Sequence, residues 1–75
     1  DDGIMVATQG NGLYVTSTTP INIIKVSDAH GHTVSTIAPQ AMQAAIDTAT
    51  WPEGAYIVSV TTAEGTATRK IWIRR

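Results

Sequence analysis

The amino-acid sequence predicts an all-β fold of short antiparallel strands, and three observations lead there. Twelve Thr, nine Ile and six Val make 27 of the 75 residues β-branched, a composition that loses side-chain freedom in helices and packs well on pleated surfaces. Turn-forming residues recur at short intervals: residues 10–12, Thr19 and Pro20, residues 28–31, Pro39, residues 52–54, and Glu64 with Gly65. Between the turns, apolar and polar side chains alternate with a period of two.

Seven strands fit between these turns. The first, residues 4–8, leads into the Gly-rich turn at residues 10–12. The second, residues 13–17, sets Leu13 and Val15 on one face and Tyr14 and Thr16 on the other. Thr19 and Pro20 separate it from the third, residues 21–27, where Ile24 and Val26 share a face. The fourth, residues 32–37, leaves the turn built on Asp28 and Gly31. For the fifth, residues 43–48, the stretch from Gln40 to Ala45 has good helix propensity, but Ile46 gives way at once to Asp47 and a Thr/Ala run, which favours a strand. The sixth, residues 55–61, points Tyr56, Val58 and Val60 one way and Ala55, Ile57, Ser59 and Thr61 the other. In the last, residues 66–74, Ile71 and Ile73 oppose Lys70, Trp72 and Arg74. Faces of this kind must close on one another, so the expected architecture is a seven-stranded antiparallel β-sandwich of immunoglobulin-like type.

Seventy-five residues allow one domain, expected over residues 4–75 with residues 1–3 as a linker remnant. A chain of this size buries only about 60% of the surface its unfolded form exposes, so its stability margin is thin. With no cysteine, thiolate zinc clusters, disulfides and cysteine nucleophiles are excluded. A net charge of −1 makes no case for nucleic acid or an anionic membrane as the main partner. No apolar run approaches the roughly 20 residues of a transmembrane helix. The first residue is Asp1 rather than Met, and the last strand reaches the final arginines, so the chain is expected to be the end of something longer.

The run from Val26 to Val34 holds Asp28 and Gly31 in a strand-turn-strand pattern of hydrophobic, any, Asp, hydrophobic, any, Gly, any, any, Val. Later come Ile46 and Asp47, then Trp51, Pro52, Glu53, Gly54, Ala55, Tyr56, Ile57 and Val58, and finally Lys70, Ile71, Trp72 and Ile73. In order and spacing these runs resemble the C-terminal sorting domain of type IX secretion substrates in the Bacteroidetes. The likeness covers most of residues 21–75, while residues 4–19 lack the Pro-Asn-Pro element common near the first strand of that family. The resemblance implies a folded address without catalysis or cofactor. Its partners would be the type IX translocon and a sortase-like peptidase that joins the cargo to a surface glycolipid, which places the parent protein at the outer membrane or cell surface. Some members keep the domain and serve as parts of the machinery. The signature residues carried over are Asp28, Gly31, Gly54, Tyr56, Lys70, Ile71, Ile73, Arg74 and Arg75.

Each of these residues also has a plain structural role. Gly31 and Gly54 supply positive φ in tight turns, Asp28 accepts backbone amides of its own turn, and Pro52 pre-sets another. Tyr56 is expected to be a core aromatic whose hydroxyl meets a backbone group near the rim, as in the tyrosine corners of other sandwiches. Arg69, Lys70, Arg74 and Arg75 are four of the five basic residues. They read equally as gatekeepers of an edge strand and as the label a receptor recognises. His30, His32 and Asp28 invite a metal reading, but no further ligand is near in sequence, and a solvated turn accounts for them. Asp47, Thr48 and Ala49 resemble a Bacteroidetes O-glycosylation site, a match short enough to be accidental in so Thr-rich a chain.

No nucleophile elbow, paired-carboxylate pattern or phosphate-binding glycine loop is present. Two functions from different classes therefore stand. One is the secretion address. The other is an immunoglobulin-like surface module that binds carbohydrate or protein, for which Tyr14, Trp51 and Trp72 are the candidate platform residues, with Trp51 better suited to plugging the turn beneath it. An exposed terminal strand would also permit a domain-swapped dimer.

Overall fold

The computed structural model describes residues 3–74. Six strands and no helix make up the secondary structure there: β1 (Ile4–Gln9), β2 (Gly12–Asp28), β3 (Thr33–Ile37), β4 (Ala41–Asp47), β5 (Gly54–Thr62) and β6 (Gly65–Ile73). Every pairing is antiparallel. Asp1, Asp2 and Arg75 lie outside the described residues, and with them most of the expected linker and one signature arginine.

The count is six where seven were expected, because the second and third strands are one. Thr19 and Pro20 were expected to turn the chain, yet β2 runs 17 residues through them without reversing. Its first half pairs with β1 and β4, Val15 opposite both Val6 and Ala44. Its second half pairs with β3 and β5, Ile24 opposite both Ile37 and Val60. One strand thus serves both layers of the sandwich, and the change of partner falls between Thr16 and Ile21. Proline is tolerated at this corner because no ladder donor is needed there. The neighbouring amides are met otherwise: Thr18 N–H donates to Gly3 O at 3.1 Å and Thr19 N–H to Ser17 Oγ at 3.1 Å.

The first layer is β1, the first half of β2 and β4; the second is β3, the second half of β2, β5 and β6. A register shift between Ile21 and Ile23 against β5 inserts one extra residue into β2. That bulge re-aims the side chains, so Ile21 and Ile24 are both buried while Asn22 and Ile23 face solvent. Strict alternation would have put Ile21 and Ile23 on one face.

Leu13, Val15 and Ile46 of the first layer meet Ile24, Val26, Tyr56, Val58, Val60 and Ile73 of the second, with Ile21 at the corner and Trp51 closing one end. The alternation expected in β2 and β5 holds, and Ile46 enters the core from a strand, not a helix. On β6, Ile73 is buried and Ile71 half-buried, with Trp72 outward.

Candidate functional site

Antiparallel pairing gathers the scattered signature positions at one end of the second layer. Asp28 is the Cα partner of Tyr56, and Tyr56 is the partner of Ile71, so these three form one row across β2, β5 and β6. The next row outward pairs Ala55 with Trp72 and the one beyond it Gly54 with Ile73, while the next inward pairs Ser27, Ile57 and Lys70. Positions more than forty residues apart in the sequence become neighbours because β2 ends, β5 begins and β6 ends at the same pole.

At that pole the β2–β3 turn is organised by Asp28. Its Oδ1 accepts the backbone N–H of both His30 and His32, each at 2.9 Å. Main-chain bonds close the turn, from Gly31 N–H to Asp28 O at 3.0 Å and from Asp28 N–H to His32 O at 2.9 Å. Gly31 sits at φ 86°, in the left-handed region that a Cβ disfavours. The His32 amide above all, then that of His30, holds the Asp28 carboxyl below its ordinary value, against the opposing effect of partial burial. The imidazole of His32 adds to this, its Nδ1 lying 3.6 Å from Asp28 Oδ2.

Tyr56 builds the second feature of the pole. Its hydroxyl donates to the carbonyl of Pro52 at 2.5 Å, and its ring lies 5.2 Å from that of Trp51 at a tilt of 34°. Trp51 N–H in turn donates to Thr48 O at 3.0 Å. The corner therefore ties residues 48–52 to the start of β5, with Trp51 buried as a plug. Gly54, at φ 151°, carries the chain from this corner into the strand.

The last strand completes the site. Lys70 and Trp72 point outward from β6, Trp72 being 49% exposed beside Ala55, and Arg74 follows the strand, exposed. Thr8, Gln9 and Gly10 come alongside from the β1–β2 turn, leaving an open crevice of about 230 Å³ against Trp72, Ile73 and Arg74. Thr8 and Gln9 were not singled out from the sequence, and Gly10 only as part of a turn. Nothing local marks them for this site, since their place depends on how β1 lies beside β6.

His30 and His32 stand on the exposed rim of the turn with ring centroids 6.3 Å apart. Among the described residues no group of three His, Cys, Asp or Glu could hold a metal ion. Thr48, in the short stretch resembling an O-glycosylation site, is fully buried, so in the folded chain its hydroxyl is closed to a transferase.

Comparison with known proteins follows from this geometry. The family model for the secretion system C-terminal sorting domain matches residues 6–74. Among solved structures, the chain superposes on an immunoglobulin-like β-sandwich protein of the DUF3244 family from Bacteroides vulgatus ATCC 8482 with a TM-score of 0.83. The two share 24% identity, over 96% of this chain and 85% of that one. No curated protein matches the chain. No helix among the described residues is long and apolar enough to cross a membrane.

Proposed function

The chain belongs to the family of type IX secretion C-terminal sorting domains, and from that membership we propose that its receptor reads the pole where the β2–β3 turn, the tyrosine corner and the end of β6 meet. Sorting domains of this family engage the secretion machinery, mark proteins for export and surface display, and are typically non-catalytic. Residues 4–75 act as one sorting unit.

The observation that supports the reading is the single row of Asp28, Tyr56 and Ile71, with Gly54 and Ile73 paired two rows outward. A turn, a corner and a strand end held in fixed register form a rigid surface whose shape a receptor can recognise without chemistry from the domain. Gly54 and Ile71 shape that surface over the buried Tyr56 and Ile73; Lys70 and Arg74 provide its charge, and Arg75 is the next residue in sequence. After recognition, a sortase-like peptidase releases the domain and joins the cargo to a surface glycolipid at the outer membrane. Among the described residues, β6 pairs with β5 alone, which permits its exchange between two copies in a swapped dimer.

The test is export of a periplasmic reporter fused ahead of the chain in a type IX-competent bacterium. The intact fusion is expected at the cell surface, and a fusion held in the periplasm would contradict the assignment. Replacing Arg74 and Arg75 together by Ser separates label from gatekeeper: Arg74 is exposed, and the double change is expected to shift stability by no more than about 0.5 kcal/mol. If the double variant melts like the parent and still reaches the surface, the arginines are not the label.

A further inference from the structure

The outer face of the first layer lies away from the pole's second-layer signature row and has a construction of its own. Tyr14 stands at its centre, with Ala7 of β1 and Ala45 of β4 as its cross-strand partners. With alanine opposite it on both neighbouring strands, Tyr14 is 45% exposed. It also leans along β2 over Gly12, since a Cβ built there would collide with the hydroxyl, Cζ and Cε2 of Tyr14. The ring therefore lies along the strand over Gly12 while the residue stays open to solvent. Gly12 thus makes room for the posture.

Around the ring the face is polar and almost uncharged. Thr16 pairs with Gln43 on one side, and Gly12 pairs with Asp47 on the other. Two open depressions follow the β4 side of the ring, one lined by Thr16, Gln43 and Ala45, the other by Asn11, Gly12 and Asp47. Among the described residues of the face Asp47 is the single ionic group, and its Oδ1 already accepts the Ala49 N–H at 2.9 Å. Met5 is the other large apolar side chain exposed there.

We infer that this face is a stacking platform for a neutral oligosaccharide, with one pyranose ring on Tyr14 and its neighbours hydrogen-bonded in the two flanking depressions. An aromatic with an apolar body and a polar tip suits the C–H face of a sugar, and the side chains in reach are those that pair with hydroxyls: Thr16, Gln43, Asn11 and Asp47. A stable protein interface would need roughly 800 Å² on each side with an apolar centre. One tyrosine between two alanines does not furnish that centre. The absence of a cation among the described residues of this face argues against an anionic ligand.

The experiment is an amide-shift titration of the isotopically labelled chain with maltohexaose, cellohexaose and mannohexaose. At least one sugar is expected to give saturable shifts centred on Gly12, Tyr14 and Ala45, with a dissociation constant on the order of 1 mM. Tyr14→Phe retains the binding, and Tyr14→Ala weakens it about tenfold or more while melting cooperatively like the parent. The proposal is overturned if none of the sugars gives saturable shifts, or if the shifts survive Tyr14→Ala undiminished. Shifts at these residues that grow with protein concentration alone would also overturn it, by assigning the face to a second copy of the chain. Export plays no part in the readout, so this result and the sorting assignment stand or fall separately.

Discussion

Two single residues organise the pole by different physics. Tyr56 contributes apolar area, being only 3% exposed, and adds a hydroxyl bond to the Pro52 carbonyl. Replacing it by Ala removes both, at about 3–5 kcal/mol, against a total that for so small a domain is roughly 5 kcal/mol. Tyr56→Ala is therefore expected to unfold, seen as loss of a cooperative melt, whereas Tyr56→Phe should stay folded and lose about 1 kcal/mol. A cooperatively melting Ala variant would remove the corner from the list of necessary features. Asp28 acts through charge. Its folded-state carboxyl titrates below its unfolded value, so the stability it adds is fully present above about pH 4 and is lost as pH falls through the folded value. Asp28→Asn keeps an Oδ acceptor for the turn but not the charge. The stability difference between parent and variant, from urea melts, should be constant above that pH and shrink below it; a pH-independent difference would contradict this. Both roles were legible in the sequence, because an Asx turn and a tyrosine corner are local. Gln40 was not: it takes φ 53° without being Gly, Asn or Asp, held by its amide bond to Ile21 O at 2.9 Å and its side-chain bond to Asn22 O at 3.0 Å. Both partners lie eighteen or more residues away, and local sequence carries no trace of them.

At the scale of elements, β2 and β6 differ most from what an isolated strand would be. The sequence placed Leu13, Val15, Ile24 and Val26 correctly inside and broke the chain wrongly at Thr19 and Pro20. Proline rules out a ladder donor, but it does not say whether the chain turns or merely changes partners. That choice depends on β4 and β5, which supply the new partners. On β6 the edge away from β5 is one that a second strand could join, and we propose that Arg69 guards it. This residue is half-buried on the row of Ala67 and Ile71, opposite Val58, and its Nη1 donates to Thr68 O at 3.1 Å. A charge on the inward row of an edge strand discourages a second strand from docking there. Arg69→Val is accordingly expected to fold yet associate, giving a sedimentation coefficient that rises with concentration. A strictly monomeric Arg69→Val chain would shift the gatekeeping role to other residues.

Over the whole molecule, the sharing of β2 between layers couples them. Neither sheet can open without stripping β2 of partners that hold the other, so unfolding should be all-or-none. Far-ultraviolet dichroism and the fluorescence of buried Trp51 are expected to report one coincident transition, and separated midpoints would show that the layers melt independently. The pairings are also distant in sequence, Gly12 with Asp47 and Ser27 with Ile57, which points to folding in milliseconds to seconds.

Composition, alternation and turn chemistry were enough to establish an all-β chain, the inward faces of most strands, the Asx turn, the plugging role of Trp51 and the family signature. Each of these, and each separate run of the signature, depends on residues within a few positions of one another, where backbone sterics and side-chain reach decide. Registration between distant strands was beyond their reach. The passage of β2 through both layers, the bulge that turns Ile23 outward, the row uniting Asp28, Tyr56 and Ile71, and the leaning ring of Tyr14 between Ala7 and Ala45 arise from long-range pairing. Such pairing optimises burial over the entire sandwich, and a chain read one neighbourhood at a time carries no measure of that sum.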